Sequence, residues 1–230
     1  MEIKESGPCS THGHGPSWPA DPFHFNEDLH LYTLRRPPNL IERLLGVSDV
    51  IRDNGFTDDR FFTPGSRTRG RAVHAGLRLA LLGTLDWNSL DPDLHGFVRS
   101  GLKLMEFLKA DILEMEVPRY HPTWLYAGTL DLLIRRAGIE IVIDWKTGDI
   151  PDVTDYQLFA YDMLQPVRAA RQHWGVKLHR DGAMATITEL DSDRYAGDRF
   201  LNLLATTRER QKHGVSLIPT TLPEGYCYMA

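Results

Sequence analysis

Two aliphatic segments separated by a short break constrain the fold of this chain more than any other feature. Residues 130–136 and 139–146 are rich in Leu, Ile and Val, and Ala137-Gly138 lies between them. Such runs around a two-residue turn predict a β-hairpin. The turn sets a register in which the paired residue numbers 136 and 139 sum to 275, as do 131 and 144. Asp131 and Asp144 are therefore predicted to face each other across the two strands.

The predicted hairpin gathers two acids and a lysine. Directly opposed residues have Cβ atoms about 5 Å apart, and like charges there destabilise a sheet, so positive charge is required. Alternation places Lys146 on the face of Asp144, while Trp145 points the other way. Mg²⁺ prefers hard oxygen ligands and is commonly held by one or two carboxylates together with phosphate oxygens. We therefore predict a metal site at Asp131 and Asp144, with the main-chain carbonyl of Trp145 as a further ligand.

This site predicts a phosphate diester as the substrate. Lys146, beside the metal, is expected to orient or deprotonate an attacking water and to offset charge developing on the phosphate oxygens. The alternative is an ordinary surface ion-pair cluster, because an isolated Asp-x-Lys motif is common in proteins. The flanking segments distinguish the two interpretations.

A helix predicted over residues 66–83 carries a row of basic side chains. Arg67, Arg71, His74 and Arg78 follow one another at spacings of four, three and four residues, so they share one face. Like charge in the row is expected to disfavour protonation of His74, which favours a metal-ligating or phosphate-facing role. Arg67 and Arg71 are predicted to contact phosphates. A solvated helix face is the alternative.

Two further segments contribute candidate residues. A helix predicted over residues 152–165 places Gln157 and Tyr161 one turn apart, although Tyr161 would suit a core aromatic position equally. Alternation over residues 111–117 places Glu114 and Glu116 on one strand face. This acidic face could add a third carboxylate to the metal site, and either glutamate also suits an ordinary solvated strand.

Four short motifs, in their order along the chain, resemble the PD-(D/E)XK nuclease superfamily and in particular its RecB-like branch. The motifs are Gly70-x-x-x-His74, Gly128-x-x-Asp131, Asp144-x-Lys146 and Gln157-x-x-x-Tyr161. The similarity covers most of residues 23–165. It implies that Asp131 and Asp144 bind Mg²⁺ or Mn²⁺, that His74 adds a metal contact and that Lys146 is catalytic. It also implies that Gln157 and Tyr161 border the DNA. Because RecB-like sequences often carry a glutamate in the vicinity of residue 116, it favours Glu116 over Glu114 as a third carboxylate of the metal site.

The resemblance further implies an α/β fold with a central mixed β-sheet flanked by helices and a restriction-endonuclease-like α-β-β-β-α-β core. The implied activity is metal-dependent hydrolysis of DNA, as an exonuclease acting on DNA ends in a recombination, repair, phage or defence setting. A sequence-specific restriction-type endonuclease, or a non-catalytic nucleic-acid-binding subunit with the same fold, are the alternatives. A homo-oligomer or a partner protein in such a complex stays open.

Composition limits the possible number of domains, the mode of DNA binding, the cofactors and the location of the chain. With 230 residues and 42% hydrophobic content, the chain can form one domain, predicted over residues 23–214 between tails at 1–22 and 215–230. A formal net charge of -5 means that DNA binding needs local arginine clusters. The two cysteines, Cys9 and Cys227, suit a reducing cytoplasm and are too few for a four-cysteine iron-sulfur cluster. No long apolar run or signal peptide is present, so a membrane location is not expected.

The remaining periodicities predict other elements of the domain. They are a strand or hairpin over residues 23–34, helices over 38–53, 92–110 and 193–212, and a hairpin of strands 173–180 and 183–190 turning at Asp181-Gly182.

Overall fold

The computed structural model describes residues 22–38, 40–56, 64–167, 169–190, 195–224 and 226, without the side chains of Pro64, Ser66 and Arg67. A 3₁₀ turn, Pro92–Leu94, precedes the third α-helix. The strands and α-helices, in chain order, are β1 (Phe23–Asn26), β2 (Leu31–Arg36), β3 (Leu40–Gly46), α1 (Val47–Asp53), α2 (Pro64–Leu81), α3 (His95–Leu108), β4 (Asp111–Tyr120), β5 (Tyr126–Arg136), β6 (Ile139–Lys146), α4 (Thr154–Met163), β7 (Arg171–Lys177), β8 (Thr186–Leu190) and α5 (Ala196–Lys212).

The strands form one open, mixed sheet. Seven of the eight lie in the order β1-β2-β3-β5-β6-β7-β8, and β4 pairs with β5 beside that path. The pairs β3/β5 and β6/β7 are parallel, and the other pairs are antiparallel. The predicted α/β architecture, a central mixed sheet flanked by helices, is confirmed in this coarse form.

Alternating side chains of the central strands feed two hydrophobic cores. Ile141, Ile143 and Trp145 pack with residues of α2 and α3 in one core. Val142 packs with residues of α1, α4 and α5 in the other. Since successive side chains of a strand point to opposite faces, Asp144 and Lys146 belong to the face that α4 covers. The predicted alternation along β6 is therefore confirmed.

The central hairpin has the predicted register. The pairs run from Arg136 and Ile139 to Leu132 and Ile143, and each pair sums to 275. Ala137 and Gly138 have φ values of 50° and 82°. Two successive positive φ values are typical of a type I′ turn, whose twist matches that of the flanking strands. The backbone conformation of this two-residue turn therefore fixes the strand register, which brings Asp131 and Asp144 to the same end of the hairpin.

The prediction of a helix over residues 38–53 is wrong in its first half. Residues 40–46 form β3, which pairs antiparallel with β2 and, at Leu45 and Gly46, parallel with β5. The spacing of four between Leu40 and Leu44 suits a helix, but it is also an even number and so places both residues on one strand face. Pairing with β2 at residues 40–44 and with β5 at residues 45 and 46 satisfies the β3 backbone and outweighs the local pattern. The helix begins only at Val47.

The second predicted hairpin is confirmed in register but is shorter. The pairs run from His173 and Leu190 to Lys177 and Thr186, and each sums to 363, as do 181 and 182. Residues 178–185 leave the ladder because they pack against α3. A Cβ added at Gly96 would lie only 1.6 Å from the Arg180 carbonyl oxygen, so the two backbones are in direct contact.

The other predicted elements are confirmed with small boundary shifts: the β1/β2 hairpin, α2, α3, β4, α4 and α5. Residues 1–21, Cys9 and Cys227 lie outside the described residues. Part of the predicted C-terminal tail is packed, since the backbone N–H of Leu217 donates to Asp53 at 2.6 Å and Ile218 is buried. Within the described residues, no helix has the length and apolar character needed to cross a membrane.

Candidate metal centre

Asp131 lies at the end of the central hairpin and is held from two sides. The β5/β6 ladder ends at the pair Leu132 and Ile143, and Asp131 immediately precedes Leu132 in the chain. One carboxylate oxygen, Oδ2, accepts the backbone N–H of Trp145 at 2.8 Å, and the other, Oδ1, lies 3.4 Å from Nδ1 of His74. Asp131 thus bonds to the residue that follows Asp144 along β6. Burial alone would raise its pKa, but His74, the Trp145 amide and Lys146 hold that pKa below the ordinary value.

Helix α2 delivers His74 to the same point. Its Nδ1 faces Asp131, and its Nε2 lies 3.0 Å from the carbonyl oxygen of Trp145. Burial lowers the pKa of His74, but Asp131, Glu116 and Asp144 together raise it to about 9. The expectation that the arginine row disfavours protonation of His74 is wrong, because the charges of the three carboxylates raise the pKa of His74 above its ordinary value. The Trp145 carbonyl, predicted as a metal ligand, lies beside the cluster because it contacts Nε2 of His74.

Strand β4 contributes Glu116, which lies opposite Asp131. The flanking pairs, Met115 with Leu132 and Val117 with Leu130, sum to 247, as do 116 and 131. Glu116 has a φ of 53°, which is uncommon for a residue with a side chain and turns it out of the regular strand geometry. Burial and the charge of Asp131 raise its pKa to about 8.

Three side chains come together at this point. One ligand atom from each of His74, Glu116 and Asp131 lies within 4.8 Å of the others. Glu114, the alternative glutamate, instead accepts from Nη2 of Arg119 at 2.5 Å. Of the two candidates on β4, it is therefore Glu116 that joins the cluster.

Asp144 lies beside this cluster and is paired with Lys146. Its Oδ2 is 2.6 Å from the lysine Nζ, and its side chain is almost fully buried. Burial raises the pKa of Asp144, Lys146 lowers it, and the charge of Asp131 raises it again. Among the described residues, Asp144 is not one of the three whose ligand atoms lie within 4.8 Å. The two aspartates thus influence each other electrostatically, while the lysine is the direct partner of Asp144.

Gln157 and Tyr161, the predicted pair on α4, contact the lysine side of the site. Lys146 Nζ donates to Oε1 of Gln157 at 3.0 Å, and Nε2 of Gln157 donates to the Tyr161 hydroxyl at 3.1 Å. Gln157 is half-buried and Tyr161 is only 6% exposed. Burial raises the pKa of Tyr161 well above its ordinary value, so its hydroxyl stays protonated.

The predicted arginine row divides between two environments. Arg71 is exposed, and its charge, after burial, lowers the pKa of His30. Arg78 is half-buried, and its charge lowers the pKa of Glu116, so it lies on the side of the cluster. The side chain of Arg67 lies outside the described residues.

No protein-family model matches this chain. A search of curated proteins finds no significant match either.

The cluster of His74, Glu116 and Asp131 fits a small divalent cation. Mg²⁺ binds oxygen ligands at about 2.0 to 2.1 Å, so ligands on opposite sides of the ion are about 4.2 Å apart. Donor atoms within 4.8 Å of one another need only a small contraction to reach that geometry. Two carboxylates supply the hard oxygens, and an imidazole nitrogen also suits Mn²⁺.

One wall of the site was not predicted from the sequence. Tyr32 of β2 is buried, and its hydroxyl is 2.9 Å from Oγ1 of Thr129, two residues before Asp131. Its ring stacks on Phe25 with a centroid separation of 4.6 Å. Burial raises the pKa of Tyr32, and the charges of Glu116 and Asp131 contribute to this shift. The ragged alternation of residues 23–34 indicates a hairpin but not its position beside the acids.

Proposed function

We propose that this protein is a Mg²⁺- or Mn²⁺-dependent nuclease that hydrolyses phosphodiester bonds in DNA. The observation that carries the proposal is the convergence of His74, Glu116 and Asp131, from α2, β4 and β5, beside the Asp144–Lys146 pair. Three separate elements each supply one metal-ligating group to the same point. An ordinary surface ion-pair cluster needs only oppositely charged side chains and does not explain this convergence. The element order α2-β4-β5-β6-α4-β7, with α3 between α2 and β4, supports a restriction-endonuclease-like core.

The residues divide into metal ligands and a catalytic cation. His74, Glu116 and Asp131 would hold the ion, with Asp144 and the Trp145 carbonyl completing its surroundings. When bound, such an ion polarises a phosphoryl oxygen and lowers the pKa of a coordinated water. Since His74 and Glu116 favour their protonated forms, both must release a proton before they can act as ligands.

Lys146 is suited to stabilise negative charge on the substrate. An ammonium group carries three donors, and in the described residues two of them face Asp144 and Gln157. The third can reach a phosphate oxygen or an attacking water. A fixed ammonium group in a partly buried site stabilises developing charge more strongly than it would in water.

DNA is the proposed partner, although the chain is acidic overall. The phosphate backbone must be held by local positive charge, and the exposed Arg71 lies on the helix that bears His74. Arg67 precedes it by one helical turn. Gln157 and Tyr161 were also expected to border the strand; Gln157 is half-buried and Tyr161 is 6% exposed. Exonuclease action on DNA ends is proposed from the resemblance of the four motifs.

The direct test uses end-labelled linear DNA and covalently closed circular DNA with Mg²⁺ or Mn²⁺. The wild type should shorten linear DNA and spare closed circles, while chelation should abolish cleavage. Asp131→Ala and Lys146→Ala should each lower the rate by at least about 100-fold. Asp149→Asn is the matched control, because Asp149 is an exposed acid three residues after Lys146 that pairs only with Lys177 among the described residues.

Three outcomes would redirect the proposal. Discrete fragments from closed circles would favour a restriction-type endonuclease. DNA binding without cleavage under every metal condition would favour the non-catalytic subunit. Equal cleavage by wild type and both site variants would contradict the assigned chemistry.

A further inference from the structure

We propose that Gln157 is a positioning residue that orients the Lys146 ammonium group, and that Tyr161, packed on Gly128, holds Gln157 in place. This inference rests on the proposed nuclease function, within which Lys146 acts on the substrate. It assigns to the α4 pair a role inside the protein, distinct from the DNA contact that the resemblance implies.

The first step is the contact between the lysine and the amide. Lys146 Nζ donates to Oε1 of Gln157 at 3.0 Å and lies 2.6 Å from Oδ2 of Asp144. A lysine side chain has a flexible four-carbon stem, and a single ion pair restrains its direction poorly. Two partners, an ion-paired carboxylate on β6 and an amide acceptor on α4, define the direction of the ammonium group much better than one.

The second step is that the amide of Gln157 has only one suitable orientation. Its oxygen accepts from an ammonium group, which has no acceptor, and its NH₂ group donates to the Tyr161 hydroxyl at 3.1 Å. A flipped amide would place NH₂ against NH₃⁺, two donors facing each other. The ammonium group therefore determines which end of Gln157 faces it, and the Tyr161 hydroxyl accepts from the other end and holds the amide in place. The spacing of four residues on α4 makes this contact natural.

The third step is the anchoring of Tyr161 against β5. A Cβ added at Gly128 would lie 2.7 Å from Cε1 of the Tyr161 ring and 3.0 Å from its Cδ1. The ring thus rests directly on the β5 backbone, three residues before Asp131, where a side chain at position 128 would leave no room. Burial of Tyr161 to 6% exposure keeps its hydroxyl inside the protein. Gly128, Tyr161 and Gln157 therefore connect the strand bearing Asp131 to the lysine on β6.

A positioning role and a DNA-contact role predict different kinetics. A residue that holds Lys146 in place should affect the chemical step and leave DNA affinity unchanged, because it does not touch the strand. A residue that contacts DNA should weaken binding at an unchanged maximal rate. A residue that acts only on stability should alter neither quantity in the folded protein.

The test is single-turnover cleavage of linear DNA by Gln157→Ala, with DNA affinity measured separately in Ca²⁺. We expect the maximal rate to fall about 10-fold to 100-fold, and the Kd for DNA to change by less than about twofold. Tyr161→Phe, which keeps the ring but removes the hydroxyl, should lower the rate less. In a Lys146→Ala background, Gln157→Ala should cause little further loss, since it acts through the lysine. Gln211→Ala removes another half-buried glutamine, whose Nε2 donates to the Ile218 carbonyl oxygen at 3.2 Å, and controls for general effects.

A readout independent of cleavage separates this inference from the proposed function. The order parameter of the Lys146 ammonium group, measured by ¹⁵N relaxation, should be high in the wild type and fall in Gln157→Ala. Ordered Lys146 in a protein that cuts no DNA would overturn the nuclease proposal and retain the positioning. An unchanged order parameter, a weaker DNA affinity at full rate, or an undiminished effect in the Lys146→Ala background would overturn the positioning role.

Discussion

At the scale of single residues, Asp131 connects the parts of the site. It accepts the Trp145 amide, faces His74 and lies opposite Glu116 across the β4/β5 pair. A buried carboxylate is tolerable only when such partners compensate for its lost hydration. The protonated state of His74 follows from this charge, because burial alone would favour the neutral ring.

The pKa of His74 should therefore depend on Asp131. In Asp131→Asn, the raising influence of the carboxylate disappears, and the pKa of His74 should fall from about 9 to its ordinary value or below. Titration of the His74 ring signals by NMR, in the absence of divalent metal, measures this directly. A variant histidine that still titrates near 9 would contradict the assigned pairing.

The candidate residues that could be predicted from sequence are those whose placement depends on local geometry. A two-residue turn brings Asp131 and Asp144 to the same end of the hairpin, and strand alternation selects Glu114 or Glu116. The choice of Glu116, the protonation of His74 and the bond from Lys146 to Gln157 depend on how helices α2 and α4 pack on the sheet. Spacing along one segment contains no such information.

At the scale of elements, turn chemistry proved more informative than hydrophobic spacing. Ala137-Gly138 and Asp181-Gly182 each lie at the centre of a correctly predicted register. The spacing of Leu40 and Leu44 is compatible with both a helix and a strand, and pairing with β2 and β5 resolves it in favour of β3. Neighbouring strands that are distant in sequence supply that pairing, so the local pattern could not reveal it.

The turn of the central hairpin contains a strained position that can be relieved. Ala137 has a φ of 50°, a region that glycine enters without steric penalty. Ala137→Gly should therefore raise the free energy of unfolding by about 0.5 to 1 kcal/mol, measured by urea denaturation. Ala205→Gly, an exposed position within α5, is the matched control and should lower it by about 1 kcal/mol. Equal destabilisation by both changes would contradict the turn geometry.

At the scale of the whole molecule, two groups of the site keep their protons at pH values at which the unfolded chain would have released them. The pKa of His74 is raised from 6.5 to about 9, and that of Glu116 from 4.5 to about 8. At pH values between the ordinary and the raised pKa of each group, the folded protein binds more protons than the unfolded chain. Its stability should therefore decrease as the pH rises through that interval, by about 1.4 kcal/mol per pH unit for each extra proton.

Urea unfolding of the metal-free protein at about pH 6 and about pH 9 tests this sign. We expect lower stability at the higher pH, a smaller decrease in Glu116→Gln, and partial recovery on adding Mn²⁺, which stabilises the ionised carboxylates. Constant or increasing stability between these two pH values would show that the cluster does not retain its protons.

The central claim is that His74, Glu116 and Asp131 form a divalent metal site. Calorimetric titration with Mn²⁺ tests it most directly, using the two glutamates of β4 as a matched pair. Glu116→Gln should weaken Mn²⁺ binding by at least about tenfold, whereas Glu114→Gln, which removes a carboxylate paired with Arg119, should bind like the wild type. Absence of Mn²⁺ binding by the wild type, or equal affinities in the two variants, would contradict the account.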